Sequence, residues 1–165
     1  MRSKPELLAP AGNMAAHTAA VQNGADAVYL GMGDFNARHS AGNFSADQLA
    51  EAVRYCHARG VRVHVTLNTM IREDELPALR CAIESVAASG ADAALVQDFG
   101  VARAVRAVAP GLALHASTQM AAHNRAGVEF LARNGFARAV LAREMSIPEI
   151  QACAGLGTEL EAFVH

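Results

Sequence analysis

The residues of this chain best equipped for chemistry stand directly after short apolar runs. Residues 112–120, LALHASTQM, end an apolar stretch in His115 and continue through Ser117, Thr118 and Gln119. An imidazole can move protons near neutral pH, and hydroxyls and amides beside it can orient a polar substrate. The arrangement recurs: Asn68 follows VRVHVTL, Gln97 and Asp98 follow ADAALV, and Arg143 and Glu144 follow ARAVLA. Asn68, Gln97 and Gln119 pair donors with acceptors, which suits the edge of a planar heterocycle or an amide. Arg143 is a candidate anchor for a carboxylate or phosphate. Asp98 equally suits the cap of a helix. A long aperiodic stretch, GMGDFNARHSAGNF at 31–44, adds Asn36, Asn43 and Arg38, the last a second candidate phosphate clamp. His115 is therefore the candidate catalytic group. The candidate substrate-binding set is Asn68, Gln97, Asp98, Thr118, Gln119, Arg143, Glu144, Arg38 and Asn43.

Other chemistries find less support. Ser117 with His115 would make a peptidase nucleophile and base, but no strained elbow or orienting acid accompanies them. The GMG of the long loop lacks the third glycine and following lysine of a nucleotide fingerprint. No histidine pair has metal-ligand spacing with an acidic partner, so no metal site is expected. Cys56, Cys81 and Cys153 are widely spaced within helical patterns and read as small buried thiols.

Positioning such groups requires strands that end on one rim. Val61, Val63 and Val65 alternate with Arg62, His64 and Thr66, and Asn68 shares the second parity, which places it at a C-terminal strand mouth. Strands are expected at 6–9, 26–30, 61–67, 91–98, 112–115, 138–142 and 159–164. Helices between them open at Asn13, at the capping boxes Ser45/Gln48 and Ser146/Glu149, at Asp74 with Pro77 in the first turn, at Asp98 and after Met120. Glycines 24, 60, 90, 111, 135 and 157 each precede a strand, and GADAVYL nearly repeats as GADAALV. This alternation implies a parallel sheet with right-handed crossovers. Polar residues follow nearly every strand, whereas a doubly wound sheet gathers them at one switch point, so the pattern favours an α/β fold of the incomplete (β/α) TIM-barrel type with about seven parallel strands. A whole barrel needs ~250 residues. The 165 present are expected to be one domain, 1–165, the N-terminal part of a longer barrel, with open edges that favour self-association.

Composition narrows the partners. With 52% hydrophobic residues the chain can bury one sizeable core. A formal net charge of -2 excludes a global basic footprint, so any nucleic-acid contact must come from a local arginine patch. No secretory leader or membrane-spanning run is evident, and a cytoplasmic location is expected.

The motifs ELLAPAGN, GADAVYLG, FNARHSAGNF, VTLNTMIREDEL, LVQDFGV, LHASTQM, VLAREMS and ELEAFVH, in this order, resemble the N-terminal half of the collagenase-like peptidase family U32. ARH, TLNT, VQD and HASTQ most resemble the branch that hydroxylates a cytidine of large-subunit ribosomal RNA. A sister branch acts on tRNA uridines and a third on ubiquinone precursors with an iron–sulfur cluster, while the family's founding description is proteolysis. The resemblance implies RNA base hydroxylation by the full-length protein, with peptide cleavage or a non-catalytic binding module as alternatives. In the family, FVHG leads into a cysteine-containing segment from which cluster ligands come. This sequence ends before it, so the resemblance implies no cofactor on these residues and an iron–sulfur cluster only through residues beyond His165.

Overall fold

Residues 4–37 and 42–164 are described by a computed structural model of the chain. Seven strands pair in parallel and in sequential order, so the sheet curls as a barrel wall with no internal switch point. They are β1 (Leu8–Pro10), β2 (Ala27–Gly31), β3 (Arg62–Leu67), β4 (Ala93–Val96), β5 (Ala113–Ala116), β6 (Arg138–Val140) and β7 (Glu159–Glu161). Between them run α1 (Met14–Gln22), α2 (Ala46–His57), α3 (Leu76–Ser89), α4 (Phe99–Val108), α5 (Arg125–Arg133) and α6 (Ile147–Ala152). β1 and β7 are the two edges of an incomplete (β/α) barrel. Pro10, which cannot donate to a ladder, stands on the first of these edges, where it is tolerated.

The register sorts the strand residues into two faces. Tyr29 pairs with His64, Thr66 with Leu95, Leu95 with His115, His115 with Arg138, and Arg138 with Glu159. These share the concave interior, because paired residues of parallel strands point the same way. The alternate set, including Val28, Val63, Val65, Ala94, Val96, Leu114 and Ala116, is buried against the helices. That layer is the true core. Helix α2 shows how the sequence reaches it: Leu49, Ala52, Val53 and Cys56 are buried at helical spacing, while Asp47 and Arg54 stay outside. Burying Leu49 and Val53 contributes ~1.5–3 kcal/mol each.

The expected boundary signals act as the local chemistry requires. Asn13 caps α1, Ser45 and Gln48 form a reciprocal box, and Ser146 and Glu149 form another. Gly90 ends α3 in the left-handed conformation at φ 81°. Several boundaries differ from expectation: β1 is Leu8–Pro10 rather than 6–9, β4 only Ala93–Val96 and β6 only Arg138–Val140. Asp74 does not open α3; a 3-10 turn at Glu73–Glu75 precedes the helix. No helix starts at Met120. A 3-10 turn at Thr118–Met120 gives way to Ala121 at φ 53°, and α5 begins only at Arg125, where Asn124 accepts from Gly127 N at 2.8 Å. Strand β7 stops at Glu161, short of residue 164. The cysteines also divide: Cys56 and Cys153 are buried, but Cys81 is exposed on the outer face of α3, contrary to the buried reading.

Candidate substrate pocket at the barrel mouth

A cavity of about 290 Å³ opens at the C-terminal ends of the strands. Its walls come from nearly every strand end: Tyr29 and Gly31 from β2, Thr66 and Asn68 from β3, Ser117, Thr118 and Gln119 after β5, Arg143 after β6, and Glu161 and Phe163 from β7 onward. The long loop supplies Asn36 and Ala37. Asn36 is buried, and its amide donates to Asn43 Oδ1 at 2.8 Å. A Cβ at Gly31 would overlap that amide, so this position needs glycine for the loop to close over β2.

The rim is a hydrogen-bonded frame. Asn68 Nδ2 donates to Gln119 Oε1 at 3.0 Å, and Asn68 Oδ1 accepts from Ala37 N at 3.1 Å. Gln97 Nε2 donates to the Asn68 carbonyl at 2.9 Å, and Ser117 Oγ reaches Gln119 Oε1 at 3.4 Å. One asparagine thus ties β3, β4, β5 and the loop together. Asp98 faces the other way, accepting from Gly100 N and Val101 N as the cap of α4 and from Ile71 N at 3.5 Å. Arg143 lies over the ring of Phe163, 4.0 Å from its centroid, a cation–π contact at the edge of the cavity.

His115 does not stand on the rim where it was expected. It is third of the four residues of β5, one layer beneath the cavity, and its ring meets His64 edge-to-face with centroids 4.7 Å apart. Burial pushes both imidazoles down to about 3, reinforced by Arg138 and Arg62 and, for His64, by His115. Both rings are therefore neutral at ordinary pH, and the Nδ1 atom of each is buried without a hydrogen-bond partner.

Below the histidines the interior ends in charges. Arg138, with 7% of its side chain exposed, donates to Glu6 Oε1 at 2.7 Å, to Glu159 Oε2 at 2.6 Å and to Glu161 Oε2 at 3.4 Å. Arg62 makes a further ion pair with Glu6. The Arg138 guanidinium holds the Glu159 carboxyl below the usual carboxylate range, whereas burial pushes Glu161 up.

Of the residues singled out from sequence, the cavity wall gathers Asn68, Thr118, Gln119 and Arg143. Gln97 and Asn43 buttress it from behind, Asp98 caps α4, and Glu144 is exposed away from it. Arg38 lies outside the described residues, as do His39 and His165. Glu161, Tyr29 and Phe163 were not anticipated. The inward parity of Glu159 and Glu161 was readable, but ELE in a short strand reads as a solvated edge until the neighbouring strand is known. No group of three or more His, Cys, Asp and Glu side chains among the described residues is arranged to hold a metal ion. Cys56 and Cys81 stand on α2 and α3, and Cys153 caps the C-terminus of α6. No described helix is long and apolar enough to cross a membrane.

Sequential parallel strands with polar side chains converging at their C-terminal ends define a fold of the TIM-barrel class. Within that class the chain belongs to peptidase family U32, which it matches over residues 12–165. It is 39% identical to the 23S rRNA 5-hydroxycytidine C2501 synthase of Escherichia coli, over 97% of this chain and 24% of that protein. It is 35% identical to tRNA hydroxylation protein P1 of Bacillus subtilis, over 98% of this chain and 39% of the relative. The chain therefore spans between a quarter and two-fifths of the length of these relatives. The solved U32 peptidase Mk0906 shares the fold, with a TM-score of 0.76 at 15% identity over 98% of this chain and 69% of that one.

Proposed function

We propose that this chain forms the base-binding part of an RNA hydroxylation enzyme whose substrate is a cytidine of large-subunit ribosomal RNA. The observation that carries the reading is the 39% identity, spread over 97% of the chain, to a 23S rRNA hydroxycytidine synthase. The pocket supports it. Its volume of about 290 Å³ lies at the lower end of the ~300–1,000 Å³ usual for small-molecule sites, which suits one base rather than an extended peptide. A base enters such a mouth only unpaired or flipped from its stack. Arg143, exposed at the cavity edge, is the group this reading assigns to a phosphate of the entering strand. The site of action under this reading is the cytoplasm.

Inserting oxygen into a pyrimidine ring requires redox chemistry that side chains do not supply. Such a redox group would be a cofactor, and an iron–sulfur cluster held by a longer chain than these residues is the one this reading proposes. What these residues do is bind, orient and exclude water. Proteolysis gains no support from the geometry: Ser117 Oγ contacts Gln119 rather than a base, and His115 lies a layer below.

The reading is tested by deleting the gene that encodes this chain and quantifying modified nucleosides by mass spectrometry. Loss of 5-hydroxycytidine from large-subunit ribosomal RNA, restored by complementation, is expected. Unchanged ribosomal RNA would overturn the reading, and a change confined to tRNA would move the substrate to that class.

A further inference from the structure

The amides that could read a base are largely engaged by the rim itself. Asn68 accepts from Ala37 N through Oδ1, donates to Gln119 through Nδ2, and accepts the Gln97 amide at its main-chain carbonyl. Gln119 Oε1 receives both Asn68 and Ser117. Thr66 donates its hydroxyl to the Leu30 carbonyl at 3.1 Å. Gln119 Nε2 keeps donor capacity, but Gln119 Oε1 already receives two groups, so what the rim amides leave short is a strong acceptor.

Glu161 supplies it. Its side chain lines the cavity and is 17% exposed. Oε2 accepts from Arg138 Nη1 at 3.4 Å, while Oε1 has no hydrogen-bond partner among the described residues. Arg138 is itself fixed by Glu6 and Glu159, so it holds the carboxylate from below in one orientation. Val140, its register partner on β6, and Phe163 give the surrounding wall an apolar surface. An oriented carboxylate oxygen in such a wall is an acceptor that water serves poorly and a ligand N–H serves well. Burial holds this carboxyl above the usual carboxylate range, and a donor arriving with the ligand would relieve that cost. An aminopyrimidine presents an exocyclic N–H₂ donor where uracil presents a carbonyl oxygen. A carboxylate accepts from the first and repels the second.

We propose that Glu161 is the specificity residue of this pocket, accepting a hydrogen bond from the exocyclic amine of an unpaired cytosine. The inference rests on the RNA-base reading above and adds the residue that selects the base.

The test is equilibrium binding of this chain to short single-stranded oligoribonucleotides that differ only at one central position: cytidine, uridine or N4,N4-dimethylcytidine, which lacks the donor. The wild-type chain should prefer cytidine over both by about 5- to 150-fold, the range of one good polar base contact. Glu161→Ala should lose affinity for the cytidine oligomer, leaving the dimethyl analogue unchanged, so that the preference falls to about twofold. Glu161→Gln keeps the shape and gains an amide donor, so it should shift preference toward uridine. That shift is one a merely structural carboxylate would not produce. Thermal melting identifies a variant that fails to fold; should Glu161→Ala do so, the isosteric Gln variant carries the test. Retention of the cytidine preference in Glu161→Gln, or equal binding of cytidine and uridine by the wild type, would overturn the inference while leaving the RNA reading standing. Failure of the wild type to bind any of the oligomers would remove the RNA reading and this inference together.

Discussion

The floor of the barrel interior and its mouth each hold an arginine on or just after β6, in opposite circumstances. At the floor, Arg138 is 7% exposed and meets three carboxylates, from Glu6 before β1 and from Glu159 and Glu161 on β7. At the mouth, Arg143 is exposed, and its only side-chain partner among the described residues is the ring of Phe163. The floor is where this incomplete barrel closes on itself: β1 and β7 do not pair, but Glu6 spans to Arg138 and also to Arg62 on β3. Charges facing inward at the N-terminal end are thus used up on one another, whereas those at the C-terminal end keep capacity for a ligand. The contrast follows the division of labour in barrels, with stability below and chemistry above. Glu161 touches both zones, bonded to Arg138 beneath and facing the cavity above.

The strongest way to break the comparison is to remove the floor arginine. Arg138→Met would leave Glu161, with 17% side-chain exposure, without its cation and Glu6 with only the half-exposed Arg62, while the more exposed Glu159 can turn to water. Removing one partner of a buried ion pair costs ~3–5 kcal/mol, far more than the intact pair contributes in net terms. Urea unfolding should show a loss of that size. A loss below ~1 kcal/mol would place the cluster among surface ion pairs and undo the contrast.

The histidine layer between the two zones gives the next largest effect. His64 and His115 are both held at about 3, so in the folded chain they stay neutral down to that pH. Unfolded histidine takes up its proton around pH ~6.5. Between these values the unfolded state binds more protons, so stability is fully present above about 6.5 and is lost as pH falls toward 3. From pH 7 to pH 5 the expected loss is about 2 kcal/mol for each of the two histidines. His17, also depressed by burial, acts in the same direction, and Glu161, raised by burial, acts in the opposite one. Denaturant titrations at the two pH values measure the slope, and His115→Asn should remove one histidine's share of it. A slope unchanged in that variant would mean that the ring is not held neutral by the fold.

Much of this arrangement was legible in the chain, and what escaped has a common cause. The alternation of Val63 and Val65 with His64 and Thr66 gave the faces of β3 correctly, and the caps at Asn13, Ser45 and Asp98 act as their side chains dictate. Sequential strand order followed from polar residues after nearly every strand. Depth within the barrel did not follow. Parity turns His115 inward, but whether it stands on the rim or a layer below depends on the stagger between β4 and β5, which is a property of the sheet. The roles of Asn68 and Gln97 were hidden for the same reason, since their amides are engaged by groups 29 to 51 positions away in the chain. Arg138 and Glu161 were missed because charged residues in short strands ordinarily face water. In this barrel the large apolar clusters lie between the sheet and the helices, and the interior takes charge where, as at Arg138, several opposite charges converge.

The smallest expected change in stability, and the sharpest test of the mouth, is Arg143→Ala. Its guanidinium is exposed and its contact with Phe163 is a cation–π pair worth ~0.5–1 kcal/mol at an exposed site. Unfolding should therefore shift by no more than about that amount. Binding of single-stranded RNA should respond quite differently. An arginine that neutralises one phosphate lowers affinity across all sequences when removed, and the slope of log affinity against log salt should fall by ~0.7 for a single-stranded ligand. The base preference assigned to Glu161 should survive, because a phosphate contact carries no sequence information. Affinity measured over a salt series for the wild type and Arg143→Ala resolves the two roles. An unchanged slope would mean that Arg143 serves only to hold Phe163 in the wall, and the mouth would then owe its attraction for an anionic strand to some other group.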